Sequence, residues 1–250
     1  MLAELTAEDL SLALDAVADA LLREAGVYHP PVHAFTLAAR LGITVAPDDC
    51  QRGRARYVRL RDWSGGGPQP AILLRADPRP EREHWAVAHE IGEHAACRVF
   101  EHLAVDAREA PAARESVANW LAARLLLPSA WFYADGRACG WGLHELKRRY
   151  STASHELIAR RMLDAPLPVV VSVFDHGRLT FRRGNLVVAV APPCETERNC
   201  QQKAHRTGLP CTATAVGRRV VAWPVHEPGW RREILRTEVD EYCEAAETDS

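Results

Sequence analysis

The amino-acid sequence predicts an α+β protein, mainly helical with a small sheet up to Ala165 and β-rich beyond it. Three observations lead there. Apolar residues recur at helical spacing over 6–25, 80–100 and 112–127. Short β-branched runs such as Ile43-Thr44-Val45 and Ala71–Leu74 separate the early helices. After Ala165 the pattern changes to strand-like runs, beginning with Pro166–Phe174.

Taken in order, residues 6–25 form an amphipathic helix, with Thr6 as N-cap and Gly26 as stop. Pro30-Pro31 breaks the chain, and Val32–Leu41 forms a second helix ended by Gly42. Ile43–Val45, Ala55–Leu60 and Ala71–Leu74 are short strands, with a glycine-rich loop at 64–68. A long helix covers Pro80–Phe100 and another covers Ala112–Leu127, closed by Pro128. Gly142–Leu163 reads as two helices with a break near 151–154, a helix-turn-helix-like segment. Strands follow at Pro166–Phe174, Arg178–Arg183 and Leu186–Ala191, the first two joined by a turn at Asp175-His176-Gly177. A helix at Glu195–Arg206, a strand at Arg218–Trp223 and a closing helix from Trp230 complete the chain. The corresponding divisions are 1–140, 141–165 and 166–250.

With 250 residues and 47% hydrophobic content, the chain has ample material for a core. A net charge of -2 gives no whole-molecule attraction to nucleic acid or anionic lipid. The seven cysteines are odd in number and include no CxxC pair, which points to a reducing, cytoplasmic compartment. The amino terminus carries acidic residues throughout and does not read as a signal peptide. No apolar run approaches the ~20 residues that span a bilayer.

The chemistry is concentrated in Trp85-Ala86-Val87-Ala88-His89-Glu90-Ile91-Gly92-Glu93-His94. On an α-helix, residues 89 and 93 lie about 40° apart and can chelate one ion. Glu90, beside the first ligand, is placed to take a proton from metal-bound water, the logic of H-E-x-x-H zinc sites. The fifth motif position holds Glu93 in place of histidine, and His94 follows. Either Glu93 is itself the second ligand through a carboxylate oxygen, or a helix distortion brings His94 round from about 140° away. The apolar flanks favour burial of the polar pair with a partner, and a cation is one such partner. A third ligand is expected from a second helix, where Glu115 precedes an apolar run. On the residues alone, Glu115 is an ordinary carboxylate at a helix N-terminus.

HEIGE followed by Glu115-x-x-Ala118-Asn119, a small apolar run and Leu125-Leu126-Leu127-Pro128 resembles the ImmA/IrrE family of metallopeptidases. The upstream "LGITV" and "AILLRADPRPEREHWAVAHEIGE" and the downstream helix pair extend the resemblance over about residues 25–165. It implies a zincin-like fold, with His89 as first ligand, Glu90 as catalytic base, Glu93 in the second ligand position and Glu115 as third ligand. It also implies a protein substrate, an Xre-type helix-turn-helix repressor, and hence a role in transcription regulation under stress. Zn²⁺ is the expected ion. Two carboxylates with one imidazole make a harder site that also admits Mn²⁺ or Fe²⁺.

Asn119 shares a helix face with Glu115 and is a candidate to orient it. His84, His102 and His144 are read as surface or boundary residues. Arg148, Arg149, Arg160 and Arg161 on the helix pair allow DNA-backbone contact, but an exposed charged face is the favoured reading. Cys194, Cys200 and Cys211 match no metal spacing and read as ordinary cysteines. Two rivals to the peptidase therefore stand: a non-catalytic regulator that binds a repressor, motivated by Glu93, and a DNA-binding regulator using residues 142–163.

Overall fold

The computed structural model describes residues 6–51, 53–61, 67–106, 111–186 and 188–239. They fall into two compact units that meet in sequence between Ser154 and His155. The architecture is α+β, as the sequence predicts. Most of the predicted glycine-rich loop and Cys243 lie outside the described residues.

The first unit opens with α1 (Ala7–Glu24). Its start is fixed by a reciprocal cap: Asp9 N–H donates to Thr6 Oγ1 at 3.1 Å, and Thr6 N–H donates to Asp9 Oδ2 at 3.0 Å. Its apolar face, Ala13, Leu14, Val17, Ala18, Leu21 and Leu22, is buried. The long α3 (Pro80–His102) and α4 (Pro111–Leu126) pack on each other, and α1 packs on both. The short α2 (Ala34–Arg40) leads into a three-stranded sheet of β1 (Thr44–Pro47), β2 (Ala55–Leu60) and β3 (Gln69–Leu74). The order is β1-β3-β2, with β1 parallel and β2 antiparallel to β3. That order leaves β2 on an edge, and α3 packs against it.

His84 corrects an expectation. It is buried, not at the surface: its Nδ1 accepts the Ala34 N–H at 3.3 Å. His33, the N-cap of α2, makes no capping side-chain bond, so His84 serves one amide at that helix start from a neighbouring element. Burial, together with His33, pushes the His84 imidazole down to about 4.

Pro128 closes α4, yet helix resumes at once as α5 (Ser129–Ala138), an element the sequence reading omits. Its Phe132 packs edge-on against Trp141 and Tyr150, at centroid separations of 5.8 and 5.6 Å. The predicted helix pair is present as α6 (Leu143–Arg149) and α7 (His155–Arg161); α6 belongs to the first unit and α7 to the second.

The second unit is built on one antiparallel sheet, β5-β4-β8-β7-β6. Its strands are β4 (Val169–Asp175), β5 (Arg178–Gly184), β6 (Cys211–Ala215), β7 (Arg218–Glu227) and β8 (Trp230–Val239). The β4–β5 turn is the predicted one: Asp175 pairs with Arg178, and His176 and Gly177 take φ of 51° and 77°. Two left-handed residues in a two-residue connection match the twist of the flanking strands. The helix α8 (Glu195–Thr207) crosses one face and packs on β6, β7 and β8. Cys200 and Ala204 on α8 meet Phe174, Cys211, Val220, Ala222 and Leu235 in its core.

Two expectations fail here. The described residues of 186–191 form no strand, and the closing segment from Trp230 is β8, not a helix. β8 is the central strand, between β4 and β7, with α8 and α7 both packed against it. Glu233, Arg236 and Thr237 are therefore buried, and the strand lacks the apolar–polar alternation by which a half-covered strand is recognised. The described cysteines are all free thiols. Among the described residues, no helix is long and apolar enough to cross a membrane.

Candidate metal centre

The candidate site forms where α3 crosses α4. One glycine permits the approach. A Cβ on Gly92 would meet the Ala118 carbonyl oxygen at 2.6 Å and Ala118 Cα at 3.1 Å. Nothing larger than hydrogen fits between the two backbones, so Gly92 sets how closely α4 presents Glu115 to α3. Gly92→Ala is expected to destabilise the first unit by about 1–3 kcal/mol through overpacking. It should also weaken metal binding; a chain that unfolds and binds zinc like wild type would rule out this role.

At the crossing, ligand atoms of His89, Glu93 and Glu115 all lie within 4.8 Å of one another. His89 Nε2 is 3.6 Å from Glu115 Oε2. His89 and Glu93 come from one face of α3, one helical turn apart, and Glu115 comes from α4. Asn119, one turn further along α4, donates from Nδ2 to Glu115 Oε1 at 3.1 Å and to the Glu115 carbonyl at 2.9 Å. It thereby restrains that carboxylate, as its spacing suggests. The Glu115 side chain is 68% exposed, so the site is open on the α4 side.

His94 faces another way. α3 is continuous through this region, and His94 Nδ1 is 2.8 Å from Tyr57 Oη, with the two rings 5.1 Å apart. Burial, with Arg98 and Arg59 adding to it, holds the His94 imidazole below its ordinary range. His94 tethers β2 to α3 and is not among the converging donors.

Glu90 is nine-tenths buried. Its Oε2 accepts the Tyr57 N–H from β2 at 2.6 Å. Burial raises its carboxyl above the ordinary range; Glu93 and Glu115 act in the same direction, while the Tyr57 amide and His89 oppose it. Sequence reasoning missed one participant. Arg114 donates from Nε to Glu93 Oε2 at 2.7 Å and from Nη2 to the Glu93 carbonyl at 3.1 Å. Nothing in the sequence distinguishes it, because the contact exists only once α4 lies across α3.

One imidazole and two carboxylates in convergence suit a divalent cation that accepts nitrogen and oxygen donors. The remaining histidines do not join them. His102 is exposed, and His144 sits on α6. The arginines of the helix pair are all ion-paired: Arg148 with Glu145, Arg149 with Asp135, Arg160 with Glu156 and Arg161 with Asp164.

Residues 38–163 match the peptidase M78 family, described as the IrrE N-terminal-like domain. A solved structure described as a Mycobacterium tuberculosis transcriptional regulator superposes on 95% of this chain and 80% of its own, with a TM-score of 0.64 and 17% identity. At that identity the likeness concerns the fold. No curated protein matches the chain.

Proposed function

The chain belongs to the IrrE N-terminal-like peptidase family, and we propose that it is a metal-dependent endopeptidase acting on a protein substrate, an Xre-type helix-turn-helix repressor. The observation that carries this reading is the convergence of His89, Glu93 and Glu115 beside a buried Glu90. His89, Glu93 and Glu115 would hold the ion, with Zn²⁺ the first choice and Mn²⁺ or Fe²⁺ compatible with the two carboxylates. When bound, such an ion supplies Lewis acidity that polarises a scissile carbonyl and acidifies water. Glu90 takes the proton from the attacking water and returns one to the leaving amine. Asn119 keeps Glu115 oriented toward the site.

One observation favours the second reading, a regulator that binds a repressor without cutting it. The Arg114 guanidinium is ion-paired with the Glu93 carboxylate through Oε2 and so competes with a cation for that side chain. A single experiment separates the two. Purified chain is loaded with zinc, incubated with an Xre-type repressor, and assayed for bound metal and for repressor fragments. Fragments are expected from the wild type. His89→Ala and Glu115→Ala should each lose one equivalent of zinc and reduce cleavage to background. A repressor held in stable complex but left intact by zinc-loaded wild type selects the regulator.

A further inference from the structure

The second unit contains a group of metal-ligating side chains that the peptidase reading does not use. His205 lies in the last turns of α8, His226 near the end of β7 and Glu233 on β8. Their ligand atoms all lie within 4.8 Å of one another. We propose that His205, His226 and Glu233 form a second, independent site for a divalent transition-metal ion of the zinc class.

The topology brings these three together. In the β7–β8 register, Pro224 stands opposite Glu233 and Ala222 opposite Leu235. Side chains alternate along a strand, so Ala222, Pro224 and His226 share one sheet face with Glu233 and Leu235. Ala222 and Leu235 belong to the core under α8, which identifies the face that α8 covers. Along α8, Gln201 and His205 are one turn apart, and both reach Glu233.

Glu233 is completely buried. Its Oε1 is 2.9 Å from His205 Nδ1 and 2.7 Å from His226 Nε2, and its Oε2 accepts from Gln201 Nε2 at 2.9 Å. None of these partners carries a permanent positive charge. A buried carboxylate so placed gains most from a cation between it and the two imidazoles. With ligand bonds of about 2.0–2.2 Å, neighbouring donors around one ion stand roughly 3–3.5 Å apart. The two imidazole–carboxylate spacings would open by roughly 0.1–0.8 Å to reach that range. The imidazoles can supply that movement, since their side chains are 28% and 25% exposed, while Gln201 fixes the carboxylate from behind. The same partial exposure gives an ion a path to the site. Two imidazoles and one carboxylate select zinc-class ions over Mg²⁺ or Ca²⁺, which favour all-oxygen sites.

The test is zinc stoichiometry on the full-length chain, stripped with chelator, reloaded with Zn²⁺ and passed through a desalting column. His226→Ala and His205→Ala, made in the wild type and in the His89→Ala chain, each remove one partly exposed ligand; circular dichroism checks that they are folded. The expected result is loss of one equivalent of zinc in either background. Co²⁺ substituted into the His89→Ala chain should give a visible d–d band that disappears with His226→Ala. Stoichiometry and Co²⁺ spectrum that are the same with and without His226 and His205 would overturn the proposal. Because the readout is a difference within one background, the second site can fail while the peptidase centre stands, and the reverse.

Discussion

Glu90→Gln is expected to lower peptide-bond hydrolysis by ~10²–10⁴-fold, the usual contribution of a positioned general base, with bound metal and fold unchanged. The amide cannot take the proton from water, but its oxygen can still accept the Tyr57 N–H that Glu90 Oε2 now accepts at 2.6 Å. The shape of the buried side chain is nearly conserved, so neither a cavity nor an unsatisfied amide follows. Glu90 is also not among the converging donors, so zinc stoichiometry should match the wild type. The measurement is the rate of repressor fragment formation beside metal content on the same preparation. A Gln variant that cleaves at the wild-type rate would remove Glu90 from the mechanism; one that loses zinc would make it a ligand.

Glu197→Ala should destabilise the second unit by about 3–5 kcal/mol, the scale for removing one partner of a buried ion pair. Glu197 is fully buried on α8. Arg182 on β5 grips both of its oxygens at 3.0 Å, Thr237 Oγ1 donates to Oε1 at 2.6 Å, and the Cys194 N–H donates to Oε2 at 2.9 Å. The variant leaves the Arg182 guanidinium beside an empty, largely dry position and removes the reciprocal cap that starts α8. Amide hydrogen exchange localised to α8, β5 and β8 should show the loss, while exchange in α1 and α4 stays as in the wild type. The same residue sets an acid limit. Burial would raise its carboxyl, but the hydrogen bonds from Arg182, Thr237 and Cys194 outweigh burial and hold it below the ordinary carboxylate range. Its stabilising effect is therefore full above the unfolded-state value and is lost as pH falls through the lower folded-state value. Glu197→Ala should flatten that acid slope of unfolding free energy; an unchanged slope would place the acid sensitivity elsewhere.

The two halves of the chain differ in how much of this was legible beforehand. In the first unit, elements are punctuated locally. Thr6 caps α1, Gly26 and Gly42 follow helix ends with φ of 64° and 73°, and Pro80 opens α3. Such signals depend on a few neighbouring residues and survive without knowledge of the fold. α5 is not legible in the sequence because Pro128 marks the end of α4 equally well as the start of a new helix. In the second unit, β8 is not legible as a strand because its polar residues are buried by partners far away in sequence. Glu233 is held by Gln201, His205 and His226, and Thr237 by Glu197.

The sequence by itself determined the α+β class, the placement of His89 and Glu93 on one helix face, and the placement of Asn119 on the same helix face as Glu115. Each of these follows from spacing along a single helix or from residue patterns over a few turns. Only the tertiary structure decided between Glu93 and His94 as the side chain that meets His89 and Glu115. It did so because β2 supplies Tyr57 as a partner for His94, while Gly92 lets α4 carry Glu115 up to the other face. It alone revealed Arg114 on Glu93 and the convergence of His205, His226 and Glu233. Those contacts join elements whose approach depends on packing, and no residue spacing encodes them.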